Sequence, residues 1–280
     1  MKRIKQAGKN LISQIKAKKG LSTVYFILRL SVVLVMIAQF FNGNFQNVFL
    51  CILTLVLFLL PSFIERRLNI DVPDTLEVII LLFIYAAEIL GEIRAFYITF
   101  PYWDTLLHTL NGFLCAAIGF SLADILNREE RVALSLSPFF MAIVAFCFSM
   151  TIGVLWEFFE FFMDQVFRLD MQKDWVVDTI SSVMLDPAGG NDPVRISGIT
   201  DVILVMGDEQ QALGLGGYLD IGIVDTMKDL LVNFVGAVIF SIIGYFYVKG
   251  QGQGKFARRF IPRLMRSYSV KKSDADQSDE

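Results

Sequence analysis

A chain of 280 residues that is 55% hydrophobic, with 26 Phe and a mean hydropathy of +0.56, is too apolar for an ordinary soluble domain. Its net charge of −3 conceals a sharp segregation of charge, and no basic patch calls for a nucleic-acid partner. The remaining class is an all-α, polytopic transmembrane helical bundle.

Residues 1–21 carry Lys2, Arg3, Lys5, Lys9, Lys16, Lys18 and Lys19 around an apolar face of Ile4, Leu11, Ile12 and Ile15. This pattern predicts a basic amphipathic cytoplasmic segment lying on the anionic inner leaflet. The apolar run after it is long and lacks a small-x-small cleavage site, so an uncleaved first span is expected rather than a signal peptide. A hydrocarbon core about 30 Å thick needs roughly 20 apolar residues per helix. Six stretches qualify, at 22–42, 46–64, 75–93, 103–125, 139–163 and 223–248.

The connections fix their direction. Glu65-Arg66-Arg67, the Arg128 and Arg131 connection, and the tail from Lys249 to Lys272 are basic. Asn42 to Asn47 is uncharged, and the long fifth connection is acidic. The positive-inside rule then predicts six spans within 22–248, with both termini cytoplasmic. Membrane lipids are the expected partners. The tail, 249–280, is expected to be basic, cytoplasmic and partly disordered, with a second lipid-facing segment from Phe256 to Arg266 that Pro262 bends.

Smaller signals follow in order. Arg29 is placed to snorkel. Asp74 and Glu77 have capping-box spacing at the start of the third helix. Phe96, Tyr97, Phe100, Tyr102 and Trp103 read as an interfacial aromatic belt. Cys51, Cys115 and Cys147 each fall within a span and fit no zinc or disulfide pattern. The extracytoplasmic loop, 165–222, carries carboxylates from Asp170 to Asp220 against Arg168, Lys173 and Arg195. Its Asp174–Leu185 segment predicts a short amphipathic helix, and Ile199–Met206 a strand or interfacial segment. The loop is either a cap over an outer cavity or a solvated acidic connection.

The ionisable residues within the spans gather at one depth. Asp104, His108 and Asn111 share a face at the outer start of the fourth span, and Asp225, Asp229 and Asn233 do so in the sixth. Glu157 and Glu160 lie at the outer end of the fifth span, Glu88 and Glu92 at that of the third. Charges in hydrocarbon are costly and mark sites or pathways. His108, the only histidine, can ligate a metal or relay protons, and neighbouring carboxylates raise one another's pKa. His108, Glu157 and Asp229 are therefore the candidate catalytic residues and metal ligands. Asp104, Glu160, Asp225, Glu88, Asn111 and Asn233 are the candidate supporting or ligand-binding residues. A divalent metal is the candidate cofactor, although no metal signature such as H-E-x-x-H occurs. A structural reading stays open: Asp104-Thr, Asp178-Thr and Asp225-Thr also look like helix starts, and Glu157 and Glu160 can reach interfacial water beside Trp156.

At Trp103-Asp-Thr-Leu-Leu-His, Trp156-Glu-Phe-Phe-Glu and Val224-Asp-Thr-Met-Lys-Asp-Leu-Leu-Val-Asn-Phe-Val-Gly-Ala, the chain resembles the YjdF-like bacterial membrane proteins. That resemblance covers residues 75–248 and implies a multi-pass protein of the bacterial cell membrane, without implying a particular activity. It falls on Asp104, His108, Glu157, Glu160, Asp225 and Asp229. The Asp-x-x-x-His and Asp-x-x-x-Asn-x-x-Gly elements are more distantly similar to VanZ-like proteins, which implies a cell-envelope role connected with glycopeptide resistance. The tyrosine expected after the histidine motif is not evident.

Three functions follow as expectations. The first is an envelope protein whose outward-facing carboxylate and histidine pocket binds or processes a lipid-like ligand, whether or not it is an enzyme. The second is a proton- or ion-coupled transporter, which would need polar residues at both depths. The third is a non-catalytic assembly subunit that uses the acidic loop. Substrate and oligomeric state are left open by the sequence.

Overall fold

The computed structural model describes residues 19–68, 70–128, 135–250 and 254–264. The expected N-terminal segment at 1–18 and the tail beyond 264 lie outside the described residues. All six apolar stretches are helical. Helix α1 is Lys19–Phe41, α2 Phe45–Leu57, α3 Leu60–Leu68 and α4 Asp74–Tyr85, which continues as a π-helix over Ala86–Ile93. A short α5, Phe96–Thr99, precedes α6, Trp103–Arg128; α7 is Pro138–Phe167 and α8 Ile223–Lys249.

Five helices are long and apolar enough to cross a membrane: Gly20–Phe41, Phe45–Arg67, Trp103–Asn127, Pro138–Phe167 and Ile223–Lys249. The second counts α2 and α3 together across Phe58 and Leu59, whose N–H groups donate back to Thr54 and Val56. The third expected stretch, α4 with its π-helix, differs from these five in carrying Asp74, Glu77, Glu88 and Glu92. A helix facing lipid has no water to hide from, and large side chains such as Phe26, Phe41, Phe63, Phe139 and Phe246 are accordingly exposed.

The chain forms two compact units. One comprises residues up to Met150 together with those from Asn233 onward; the other is Thr151–Val232. In the first unit, close packing of α6 on α8 organises the core. Gly112 lies against the Asn233 carbonyl and Gly236 against the Thr109 carbonyl, with no room at either place for a Cβ. Without a hydrophobic force between helices in lipid, such small residues let backbones approach and gain dispersion contacts. The Ser149 hydroxyl of α7 donates to the Gly112 carbonyl at 2.7 Å. Phe113 and Phe120 then stack edge-on against Phe240, with ring centroids 5.0 and 6.1 Å apart. A second cluster joins α1, α2 and α4 through Val32, Cys51, Phe58 and Leu81.

The described part of the tail, 254–264, folds back into this unit. Ala257, Phe260 and Ile261 are buried, and the Phe260 ring meets Phe113 at 5.2 Å. Strand β8, Arg263–Leu264, pairs antiparallel with β1, Ile70–Asp71, which connects α3 to α4. Of the segment expected on a lipid surface, Ala257, Phe260 and Ile261 lie in protein core, while Phe256 is exposed. At the expected capping box, Pro73 is the N-cap of α4, and Glu77, 3% exposed, accepts a 2.7 Å bond from the Tyr25 hydroxyl of α1.

The second unit corrects the all-α expectation. Its loop is a nest of hairpins: β2, Val176–Val177, pairs with β7, Tyr218–Leu219, and encloses the ladders of β3, Thr179–Ser182, with β4, Val194–Ser197, and of β5, Ile203–Met206, with β6, Glu209–Ala212. No helix forms over Asp174–Leu185 beyond one 3₁₀ turn at Val183–Leu185. The β-branched run Val176, Val177, Thr179, Ile180 favours extended backbone, and partners are in reach. The β5–β6 turn is Gly207-Asp208, with Gly207 at φ +65°, as a two-residue hairpin requires.

The glycine contacts make a direct prediction. Gly236→Ala places a methyl against the Thr109 carbonyl and should destabilise the protein by about 2 kcal/mol, read as a lower thermal midpoint in detergent. An unchanged midpoint would mean that the crossing is looser than described.

Candidate functional site

In the first unit, Asp104 and His108 occupy the first two turns of α6 and face each other, with Nε2 3.5 Å from Oδ1. The i, i+4 spacing read from the sequence produces this pair directly. The His108 side chain is only 12% exposed and that of Asp104 32%. A protonated imidazole would form an ion pair with Asp104, whereas a neutral one could donate to it through Nε2–H. Glu88 sits half-buried in the π-helix. The indole N–H of Trp103, the residue before Asp104, donates to the Ala86 carbonyl at 3.3 Å and ties the start of α6 to that π-helix.

Asn111 and Asn233 also meet, but as packing. The Asn111 amide donates to Asn233 Oδ1 at 3.2 Å, Cys115 Sγ donates to Asn111 Oδ1 at 3.4 Å, and Asn233 Nδ2 reaches Met150 Sδ at 3.7 Å. Asn233 is 1% exposed. These amides fasten α6 to α8 and satisfy each other in place of water.

Glu157, Glu160, Asp225 and Asp229 belong to the second unit, and each is less than a tenth exposed. Glu160 accepts from the indole of Trp156, one turn earlier, at 2.8 Å. Asp225 is a fastener for the loop: it accepts from the Lys173 N–H at 2.8 Å and from the Trp175 indole at 3.3 Å. Four more contacts hold the same segment. Asp164 accepts from the Met171 and Gln172 N–H groups, Gln172 donates to the Thr226 hydroxyl, and the Lys228 ammonium covers the Trp175 ring.

The capping expectation shifts accordingly. Helix α8 begins at Ile223, and Asp220 accepts from the N–H groups of Gly222 and Val224, as well as from Trp175. Asp225 lies inside the first turn and is free to serve the loop. Asp178 starts no helix, because it stands between β2 and β3. The structure thus pairs Asp104 with His108 and Asn111 with Asn233, while Glu160 and Asp225 bind their own unit. His108 falls in one unit, and Glu157 and Asp229 in the other.

Two further carboxylates are buried: Glu77, which the sequence marks only as a capping partner, and Asp124, which it does not mark. Glu77 has already been described; Asp124, near the C-terminal end of α6, is 8% exposed. Their signal was an acidic residue on an apolar helix, hidden by proximity to a helix end. On the loop, Asp174 has a raised pKa, first from partial burial and then from the Asp170, Asp220 and Asp164 carboxylates, with Lys173 acting the other way.

One family model matches residues 24–191, described as Predicted membrane protein (DUF2238). No curated protein and no solved structure matches the chain.

Asp225→Ala removes two bonds to a buried carboxylate and should cost about 2 kcal/mol of local stability, raising the open population of the loop on the order of thirtyfold. Limited proteolysis between 170 and 222 measures it; wild-type cleavage rates would contradict the fastener role. A raised folded-state pKa means that ionised Asp174 works against folding above its ordinary range. Asp174→Asn should therefore slow cleavage at neutral pH, with the gain fading as acid protonates the wild-type group.

Proposed function

The chain belongs to the DUF2238 family of predicted membrane proteins, and from that premise we propose that it works in the bacterial plasma membrane, binding or processing a lipid-like, amphipathic ligand at polar residues in the outer turns of its spans. Six spans with both termini cytoplasmic belong to this reading, with α4 and its π-helix as the third. So does the YjdF-like and VanZ-like resemblance of the motifs around Asp104, Glu157 and Asp225.

The observation that carries it is burial. The imidazole of His108 and the carboxylates of Glu157 and Asp229 are held at 12%, 4% and 4% exposure on helices of membrane-spanning length and apolarity. Hydrocarbon taxes such groups heavily, and function is the usual reason for keeping them. The proposed reactive or metal-binding residues are His108, Glu157 and Asp229, with Glu160, Asp225, Asn111 and Asn233 as the supporting residues. Asp104 orients His108. The chemistry proposed is general acid–base or metal-assisted.

A second reading, a proton- or ion-coupled transporter, gains from Asp124. Helix α6 carries Asp104 and His108 near its start and buried Asp124 near its end. A route across the membrane needs ionisable groups at both depths.

Metal content by mass spectrometry decides between them, on detergent-purified wild type beside His108→Ala and Asp229→Asn. About one divalent ion per chain, lost in both variants, is expected. A metal-free but folded wild type would favour transport, and proton flux into proteoliposomes that Asp124→Asn abolishes would establish it.

A further inference from the structure

Within the second unit, the β5–β6 hairpin leaves an apolar strand uncovered. Ile203, Leu204, Val205 and Met206 of β5 are 60%, 40%, 67% and 51% exposed, so both faces of the strand are bare. Among the described residues β5 pairs with β6 alone, which leaves its other edge open. The register says what that edge presents. Val202 and Leu213 are a hydrogen-bonded pair, the Leu213 N–H donating to the Val202 carbonyl at 2.9 Å. Alternation along an antiparallel ladder then turns the N–H and C=O groups of Leu204 and Met206 toward β6, and those of Ile203 and Val205 away from it.

Folded proteins usually blunt such an edge with lysine, proline or a bulge. β5 has none of these, whereas the β3–β4 ladder carries Arg195 and three serines. The hairpin is also held ready for a partner. Its Gly207-Asp208 turn closes one end, and at the other Asp201 accepts from the Gly214 N–H at 2.8 Å. A strand fixed beforehand loses little freedom on binding.

The flanking charges identify the occupant. Asp201, Asp208 and Glu209 bracket the apolar run, and no Lys or Arg lies between Asp201 and Leu213. Hydrocarbon is a poor cover, because it cannot bond the outward main-chain groups of Ile203 and Val205. A second copy paired through β5 would set Asp201 of each chain beside the Gly207-Asp208 turn of the other, like charge against like. An extended segment with alternate apolar residues and Lys or Arg at both ends suits the backbone, the side chains and the charge together.

We propose that β5 is a docking edge for such a basic, extended segment of another protein, which adds as a strand beside Ile203–Met206. This gives the acidic loop an assembly role, and it does not depend on the reading of His108, Glu157 and Asp229.

A synthetic peptide, Lys-Lys-Val-Thr-Val-Thr-Val-Lys-Lys, tests it on the full chain in detergent, with binding followed by fluorescence anisotropy. Wild type should bind it about tenfold more tightly than a version with Glu in place of Lys, and about tenfold more tightly than one whose central amides are N-methylated. Amide exchange at Ile203 and Val205 should slow on binding, while Leu204, already bonded to β6, is unchanged. Val205→Pro deletes an outward N–H without touching the β6 ladder and should weaken binding on the order of tenfold, whereas Val205→Thr should not. Asp208→Asn combined with Glu209→Gln should shrink the preference for Lys over Glu. The peptide comparisons need no altered protein, so the site stays testable if Val205→Pro fails to fold. Equal binding of the plain and N-methylated peptides, or binding of neither, would overturn the proposal. So would a peptide-free dimer that Val205→Pro dissociates, or a fluorophore on Val205→Cys that lipid quenchers reach in phosphatidylcholine proteoliposomes.

Discussion

The close crossing of α6 on α8 is the contact from which the first unit is built. At Gly112 and Gly236 each backbone touches the other's carbonyls, leaving no room for a side chain. In hydrocarbon, where apolar contact with lipid is nearly as good as contact with protein, only that intimacy gives a helix a reason to prefer its neighbour. The crossing then sets what lies beside it. Asn111 and Asn233 come within bonding distance, and Phe113, Phe120 and Phe240 interlock below them. Serine completes the joint, because Ser149 uses the Gly112 carbonyl that the missing side chain leaves accessible.

The carboxylates of the outer turns and the loop turn out to be of two kinds. Asp164, Asp220 and Asp225 each accept backbone N–H groups from the loop or the first turn of α8. They are structural charges, offset by several donors apiece, and they explain how an acidic loop with little apolar core keeps a defined path. Asp104 faces an imidazole instead, a partner that can donate or accept according to its tautomer. Residues alike in the sequence are separated by what donates to them.

Helix extents were legible because length and apolarity are local properties. Every expected span falls within a few residues of a helix, and the Asp104–His108 pair follows from four-residue spacing alone. The π-helix was not legible. It is associated with Gly91 lying under the Tyr97 ring and with the Trp103 indole on the Ala86 carbonyl, contacts that no periodicity announces. The nested hairpins were missed because the partner of Val176 is Leu219, more than forty residues away, so the Val-Val-x-Thr-Ile run was weighed without it. Asp225 stands out in the sequence, but the groups it serves, Lys173 and Trp175, lie in a loop whose hairpins the local pattern does not announce. The Asp220 cap carried a short-range signal, an aspartate just ahead of Gly222 and the helix, which the Asp225-Thr pair overshadowed.

The returning tail has a consequence for biosynthesis. Phe260 and Ile261 fill core space against residues of α6, and β8 closes on the strand between α3 and α4. A ribosome delivers those residues only after every helix of the bundle has left the exit tunnel. The half of α8 beyond Asn233 is late as well, yet Gly236 and Phe240 supply the main contacts of α6. The early helices must therefore wait in the bilayer without their final neighbours, held as separate stable segments by their own backbone bonds. Thr151–Val232, by contrast, is one contiguous stretch whose hairpins can close as they emerge. Assembly of the first unit is thus completed only on the arrival of its last buried side chains.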